Sequence, residues 1–557
     1  MPRDGSITTE FTHFHFCCGI GGAAKGFNAA NPRVGGLKAR FRCLGGVDVS
    51  PSAVRDFTRL VGVPGTVMDL FTRDQYTAFH GSEPPPGWRE MTPVDIRRAA
   101  GNERPNVVFI SSPCKGASGL LSEARSRTPK YQALNELTLR CIWLMAEAWA
   151  DDPVDLIVFE NVPRLASRGR HLLDQINQVL QSYGYAVAET THDCGELGGL
   201  AQSRKRFLLV ARHTEKVPPF LYEPEKKRLR AVGDILGRMP LPGDPAAGPM
   251  HRLPRLQFKT WVRLAFVEAG SDWRSLNRLA VENGHLRDYL LVPEMRRGTL
   301  GVNGWDQSTG TVTTRGLPMN GNFSVADPRF EQSAKWRDGQ AYGVRGWNET
   351  SGTITSQQSP GQGCFAVADP RPSSADLQGN VYRIVRRGEP DAGRAIADPR
   401  SGLNMRRHHG DAYLTGGHYG VVSWDSPSGA VSAAAGHDNG RWSVADPRPL
   451  PAPDQKTVAI IRALDGTFHR PFSTLELAAL QSLIEPEEYL LLDGCNDSVW
   501  REHVGNLVPP HAATAIAEVM GTTLLLAYSG ETFVLSATPI WVRNVALALT
   551  MPGEGGV

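Results

Sequence analysis

The chain has 557 residues, 41% hydrophobic and 21% charged, with a formal net charge of +3. That length allows two or three domains, each with its own core, and so mild a charge does not by itself announce a nucleic-acid partner. The eight cysteines show no paired metal spacing, which leaves no disulfide framework or zinc site to expect. Reduced thiols fit a cytoplasmic protein. No apolar signal region follows Met1, and no stretch reads as a membrane span.

Residues 12–213 alternate apolar strands with helical segments, as at 139–149 and 172–180, which predicts an α/β domain with a mostly parallel sheet. The first strand, Phe14-His15-Phe16, runs into the glycine turn Cys17-Cys18-Gly19-Ile20-Gly21-Gly22 and then a helix-like Ala23-Ala24-Lys25-Gly26-Phe27. Glycines at a helix N-terminus let backbone approach a ligand closely. A second strand ends at Asp48-Val49 and a third at Asp69-Leu70. An acidic residue roughly 25–30 positions beyond the glycines suits the hydroxyls of a ribose. The turn lacks the full dinucleotide fingerprint, so adenosine without a pyrophosphate is expected, and S-adenosyl-L-methionine is such a ligand.

The apolar run 107–110 ends in Ser111-Ser112-Pro113-Cys114-Lys115, a buried strand delivering a thiol to a sheet edge. The next strand, 155–159, delivers Glu160-Asn161-Val162-Pro163. A thiol and a carboxylate at the ends of neighbouring strands can attack and protonate the same small ring. For Pro-Cys alone, a structural cysteine before a turn is the other reading.

From Val217-Pro218-Pro219 to about 455 the chain turns to Gly, Pro, Trp and short β-like runs. Three units repeat there. Trp305-Asp306 leads through Gly310-Thr311-Val312-Thr313 to Ser324-Val325-Ala326-Asp327-Pro328-Arg329. Trp347-Asn348 leads through Gly352-Thr353-Ile354-Thr355 to Ala366-Val367-Ala368-Asp369-Pro370-Arg371. Trp424-Asp425 leads through Gly429-Ala430-Val431-Ser432 to Ser443-Val444-Ala445-Asp446-Pro447-Arg448. Ile396-Ala397-Asp398-Pro399-Arg400 is a partial fourth copy. Each unit reads as a short strand or hairpin closed by an Asp-Pro turn. Helix-forming sequence returns at about 456, with a helix capped by Ser473 or Thr474, and Asn506 precedes another helix at 511–520. Thr532 to Ser536 reads as a strand.

Taken in order, these blocks resemble the cytosine-C5 DNA methyltransferase family. The matching blocks are Gly19-Ile20-Gly21-Gly22, Asp48 and Asp69, Pro113-Cys114, Glu160-Asn161-Val162, Gln202-Ser203-Arg204-Lys205-Arg206 and Gly505-Asn506-Leu507-Val508-Pro509-Pro510. The resemblance covers residues 1 to about 213 and about 456 to 525. It implies an α/β fold, a Rossmann-like mixed sheet with helices on both faces, plus a large β-rich target-recognition domain. The implied domains are a catalytic domain at 1–213, a target-recognition domain with the repeats at 214–455, a segment completing the catalytic domain at 456–528, and a tail at 529–557.

The resemblance further implies transfer of a methyl group from S-adenosyl-L-methionine to C5 of a flipped cytosine in double-stranded DNA. Cys114 is then the nucleophile at C6 and Glu160 the partner of ring N3, with Arg204, Arg206 and Lys115 as cations near the thiol. Phe16, Gly19, Ile20, Gly21, Gly22, Asp48, Val49, Asp69, Leu70, Pro113, Leu139, Asn506 and Val508 would line the cofactor. Lys115, Ser118, Gln202 and the repeat residues Thr311, Thr313, Thr353 and Thr355 would meet DNA; for the repeats, a purely structural stack of hairpins is the other reading. The expected setting is a monomer in the cytoplasm, bacterial or phage-encoded, with no membrane and no metal, and with room for a cognate restriction endonuclease in a restriction-modification system.

Two positions depart from the family pattern. His15 and Cys17 stand where an acidic and an aromatic residue are usual, so adenine stacking falls to Phe16 or elsewhere. Lys115 stands where Gln is favoured; it can promote the thiolate, pair with a phosphate, or be solvated. An RNA (tRNA) branch of the same family and a DNA-binding module that has lost catalysis are the alternative readings.

Overall fold

The computed structural model describes residues 7–113, 128–219, 223–253, 256, 258–271, 273–282, 285–286, 288–293, 381–386, 419–432, 440–448, 460–494 and 496–530, with two-residue strands at 302–303, 324–325, 344–345 and 366–367. Cys114, Lys115, Ser118, the repeat threonines Thr311, Thr313, Thr353 and Thr355, and the expected strand at 532–536 lie outside the described residues. Two compact units separate: residues 1–252 with 424–436 and 472–557, and residues 253–423 with 437–471.

The first unit is built on an eight-stranded mixed sheet. Its strands are β1 (Ile7–Phe16), β2 (Arg33–Val34), β3 (Leu37–Asp48), β4 (Gly65–Val67), β5 (Val107–Ile110), β6 (Leu156–Asn161), β7 (Tyr185–Asp193) and β8 (Lys205–His213). The order is β2-β3-β1-β5-β6-β8-β7, with β4 also paired to β3. Strands β3, β1, β5 and β6 run parallel, while β8 is antiparallel to β6 and β7. The C-terminal ends of the parallel strands and the N-terminal end of β8 therefore share one edge, where ligands bind in open α/β sheets.

Successive residues of the central strands feed opposite faces. Val108 and Ile110 join one core with the helices Pro129–Ala148 and Arg170–Ser182, while Val107 and Phe109 join another with Phe27 and the helix Pro510–Ser529. Continuous apolar runs such as 107–110 follow from this burial on both faces. The expected α/β sheet with helices on both faces is the observed one.

Helix Pro510–Ser529 lies at the far end of the sequence, yet it packs in the core containing Phe27 and Phe41. The chain around 497–529 is long and apolar enough to cross a membrane by length and composition, contrary to the expectation from sequence. More than half of its apolar window is buried inside the protein, as suits a core helix. The approach to helix Gly22–Ala29 is close: a Cβ on Gly22 would lie 2.1 Å from Leu507 Cδ1 and 2.4 Å from the Val508 carbonyl.

Helix Thr474–Leu480 is capped by Ser473, whose hydroxyl accepts the Glu476 amide while Glu476 accepts the Ser473 amide.

The second unit contains a six-stranded sheet. Its members are β11 (Tyr289–Pro293), β16 (Val381–Arg386), β17 (Val421–Val422), β18 (Ser443–Asp446), β19 (Ile460–Arg462) and β20 (Phe468–Pro471), in the order β11-β16-β19-β20-β18-β17. The remaining strands are short: β9 (Val281–Glu282) with β10 (His285–Leu286), β12 (Val302–Asn303) with β13 (Ser324–Val325), and β14 (Val344–Arg345) with β15 (Ala366–Val367).

The repeats share one pairing. Val302 pairs with Ser324, Val344 with Ala366 and Val421 with Ser443, each in parallel and each across 22 positions. A parallel pair needs a long connection, so the two paired strands of each copy are not the arms of a hairpin; of the expected short strand or hairpin, the short strand is what the described residues show. In the third copy Asp446 accepts from the Arg448 amide at 2.9 Å and from its guanidinium at 3.0 and 3.1 Å. The Asp-Pro-Arg tripeptide there closes on itself as a turn.

Candidate active site

The edge of the first sheet collects the residues singled out in the sequence. Strand β1 ends at Phe16 and enters the glycine turn, where Gly21 takes φ of +88° and caps helix Gly22–Ala29. The Gly19 amide donates to Asp48 Oδ2 at 2.9 Å, and the Ser50 amide donates to Oδ1 at 2.9 Å. Each carboxylate oxygen keeps a lone pair for another donor. Val49 and Val67 flank this carboxylate with 63% and 52% of their surfaces exposed, and a Cβ on Gly19 would meet nothing within 4 Å. Half-buried acid, exposed apolar surface and open backbone suit a ribose and an adenine. Asp69 accepts from the Phe71 amide at 3.0 Å and from the Trp88 indole at 3.2 Å. Leu70 and Val508 are buried, Leu139 is half-buried, and Pro113 and Asn506 are exposed.

Two strands away, β6 carries Glu160 one residue before its end. Arg206, at the start of β8, places its Nε 2.7 Å from Glu160 Oε1. Ser111, just past β5, donates its hydroxyl to Oε2 at 2.9 Å. One carboxylate is thus held from both sides at the sheet edge. The chain leading to Cys114 is held as firmly. The Ser111 amide donates to the Phe16 carbonyl at 3.2 Å, Ser112 and Thr138 share a hydroxyl hydrogen bond of 2.6 Å, and Asn161 Nδ2 donates to the Ser112 carbonyl at 3.3 Å.

Residues 86–252 match the family model for C-5 cytosine-specific DNA methylases. That stretch, which holds Pro113-Cys114, Glu160 and Arg206, matches the domain of this family. No curated protein matches the chain. Solved structures similar to it include the Entamoeba histolytica methyltransferase EhMeth (11% identity, TM-score 0.43, 92% of this chain and 98% of that one covered). Another is the S. pombe Dnmt2 methyltransferase (13%, 0.39, 94% and 99%). A third is a putative DNA modification methyltransferase encoded within an E. coli prophage (12%, 0.36, 92% and 99%).

Several expected site residues stand elsewhere than the edge. Phe16 is fully buried, edge-on to Phe14, and leaves no face for an adenine. Ile20 is also buried. Gln202 is buried completely and accepts the Val431 amide at its Oε1. Arg204 is buried too. It donates to the carbonyls of Val431 at 2.6 Å and Gly505 at 3.1 Å, and burial pulls its pKa down to about 9. Its place is a brace between chain segments, whereas Arg206 meets the carboxylate. The third repeat carries the other half of this brace: Ser428 and the 201–203 segment exchange backbone hydrogen bonds.

Cys17, at the usual aromatic position, takes a left-handed φ of +50°. Its thiol is pushed well up by the Cys141 thiol beside it and by burial. His15 points into a buried cluster. Its Nε2 lies 2.7 Å from His13 Nδ1, and His13 Nε2 lies 2.9 Å from Asn28 Oδ1. Burial holds His13 down at about 4, so both rings are neutral.

Sequence reasoning missed Ser111, Ser112 and Thr138, whose hydroxyls look like loop or helix polarity until two strands and a helix are brought together. The only signal was the adjacency of Ser111-Ser112 to Pro113-Cys114.

Proposed function

We propose that the protein methylates C5 of cytosine in double-stranded DNA. The single observation that carries the reading is the Glu160 carboxylate, gripped by Arg206 and Ser111 at the edge where β5 leads into Pro113-Cys114. Cytosine C5 is a weak nucleophile until a thiolate adds at C6. Cys114 forms that bond, and the ring becomes an enamine with its electron pair at C5. Glu160 meets ring N3 as the charge of addition develops there, and a contact that strengthens in the transition state raises the rate. Arg206 and Ser111 fix the rotamer of Glu160, while Asn161 and Thr138 fix the chain entering the nucleophile. When bound, S-adenosyl-L-methionine supplies an electrophilic methyl group to C5. Asp48 and the Gly19–Gly22 turn would hold its ribose and methionine ends, and Val49 its adenine. Loss of the C5 proton to water and expulsion of the Cys114 thiolate restore the aromatic ring and the free enzyme.

The target base must leave the duplex stack, at a cost of a few kcal/mol that protein–DNA contacts offset. The second unit, which holds the first two repeats and part of the third, is the natural source of those contacts, because the RNA branch of the family has small recognition regions. Transfer of a tritiated methyl group from S-adenosyl-L-methionine to duplex DNA, beside transfer to tRNA, tests the reading. Incorporation into DNA as 5-methylcytosine supports it; incorporation into tRNA alone replaces it with the RNA branch.

A further inference from the structure

His13 and His15 stand two residues apart on β1, so their side chains leave the same face of the sheet. Cys43 on β3 is the direct cross-strand partner of His13 and shares that face. One ring nitrogen of His13, one of His15 and the Cys43 sulfur lie within 4.8 Å of one another, all buried. Among the described residues this is the group of His, Cys and carboxylate donors that converges in this way. The spacing in sequence conceals it, because the three donors come from two strands.

The polar contacts around the group favour ligation. Asn28 Oδ1, 2.9 Å from His13 Nε2, accepts the proton there and leaves Nδ1 as a lone pair. A partner on the far ring nitrogen is the usual way a ligating histidine is oriented. His13 Nδ1 then faces His15 Nε2 at 2.7 Å, and Cys43 makes only a long contact, 3.6 Å, to the Gly45 carbonyl. The rings of Phe27, Phe41 and Phe109 wall the pair. Two imidazoles and a thiol in an apolar shell select thiophilic d10 cations over hard ones.

We propose that His13, His15 and Cys43 bind one thiophilic d10 cation, Zn²⁺ or Cu⁺. On binding, the Cys43 thiol proton leaves to solvent and the His15 proton moves from Nε2 to Nδ1, so both imidazoles ligate neutral. Three donors complete a trigonal Cu⁺ site of zero net charge; Zn²⁺ takes a water as well. The ion staples β1 to β3 directly beneath the Cys17–Gly22 turn and Asp48, and so stiffens the cofactor end of both strands.

The test loads chelator-treated full-length protein anaerobically with one equivalent of Zn²⁺ or of Cu⁺, and measures metal retained after gel filtration, melting temperature and X-ray absorption at the metal edge. The expected result is about one equivalent of one ion retained, a raised melting temperature, and a sulfur scatterer near ~2.3 Å beside nitrogens near ~2.0 Å for zinc. Cys43→Ala and His15→Gln should each lose at least tenfold in affinity. Retention below a tenth of an equivalent of both ions, or undiminished retention in both variants, overturns the site. If neither variant folds, the wild-type absorption edge decides, and a retained metal with no sulfur neighbour overturns it.

Discussion

Arg206 Nε lies 2.7 Å from Glu160 Oε1, with side-chain exposures of only 16% and 8%. The pair joins the antiparallel strand β8 to the parallel strand β6 at the edge where Cys114 follows β5. A carboxylate aimed by a guanidinium in so dry a place suffers little reorganisation during reaction. Arg206→Ala should lower the single-turnover methylation rate by about 10²–10⁴-fold, the usual range for losing acid–base assistance, while duplex affinity changes far less. Rapid-quench kinetics beside equilibrium DNA binding measure both.

Ser111 holds the second oxygen of Glu160 at 2.9 Å. It touches the carboxylate and acts through it, as a positioning residue. Ser111→Ala should slow single-turnover methylation roughly 10- to 10²-fold, in line with about 1.5–3 kcal/mol for a hydrogen bond to a charged group, with unchanged KM for DNA. Ser111→Thr, which keeps the hydroxyl, should recover most of the rate.

Arg204 serves stability instead. Its loss leaves the Val431 and Gly505 carbonyls without their charged donor, and an unsatisfied buried acceptor costs about 1–3 kcal/mol. Arg204→Met should lower the denaturation midpoint by that order, yet slow single-turnover methylation far less than Arg206→Ala does. Urea titrations beside rapid-quench kinetics of the two variants check the contrast.

Asp446 binds the guanidiniums of Arg448 and the fully buried Arg470, the latter at 2.8 Å. Burial raises its pKa, but the bonds from Arg448 and the charge of Arg470 outweigh that and hold it below the usual carboxylate range. A depressed folded pKa contributes stability above the unfolded value of about 4, and that contribution is lost as pH falls through the lower folded value. The wild type should therefore lose melting temperature steeply below about pH 4. Asp446→Asn should begin lower and show a flatter acid limb in calorimetry from pH 6 to pH 3.

The strands were legible because both their faces are buried: runs such as Val107–Ile110 admit no other reading once Ser111-Ser112-Pro113 breaks them. The order of blocks along the chain made the sheet edge legible as well. The difference between Arg204 and Arg206 was not legible. Both are cations two positions apart, and only the docking of Val431 and Gly505, hundreds of residues away, turns one into a brace. Phe16 failed as an adenine platform for a similar reason, since its ring completes a core with Phe14 and cannot be in two places. The repeats were visible as words and as short strands but not as a pairing: a 22-residue parallel offset leaves no local trace in sequence. The apolar character of helix Pro510–Ser529 likewise reflects its place against the sheet.

Covalent catalysis by Cys114 is the centre of the account, and one measurement reaches it directly. Duplex DNA carrying 5-fluorocytosine at a site the enzyme methylates should trap it, because fluorine cannot leave C5 as a proton does. With S-adenosyl-L-methionine present, the wild type should give a denaturant-stable protein–DNA adduct of one-to-one stoichiometry, and Cys114→Ala should give none while still binding the duplex. An adduct that persists in Cys114→Ala, or its absence from a wild type that methylates the same site in ordinary DNA, would contradict the account.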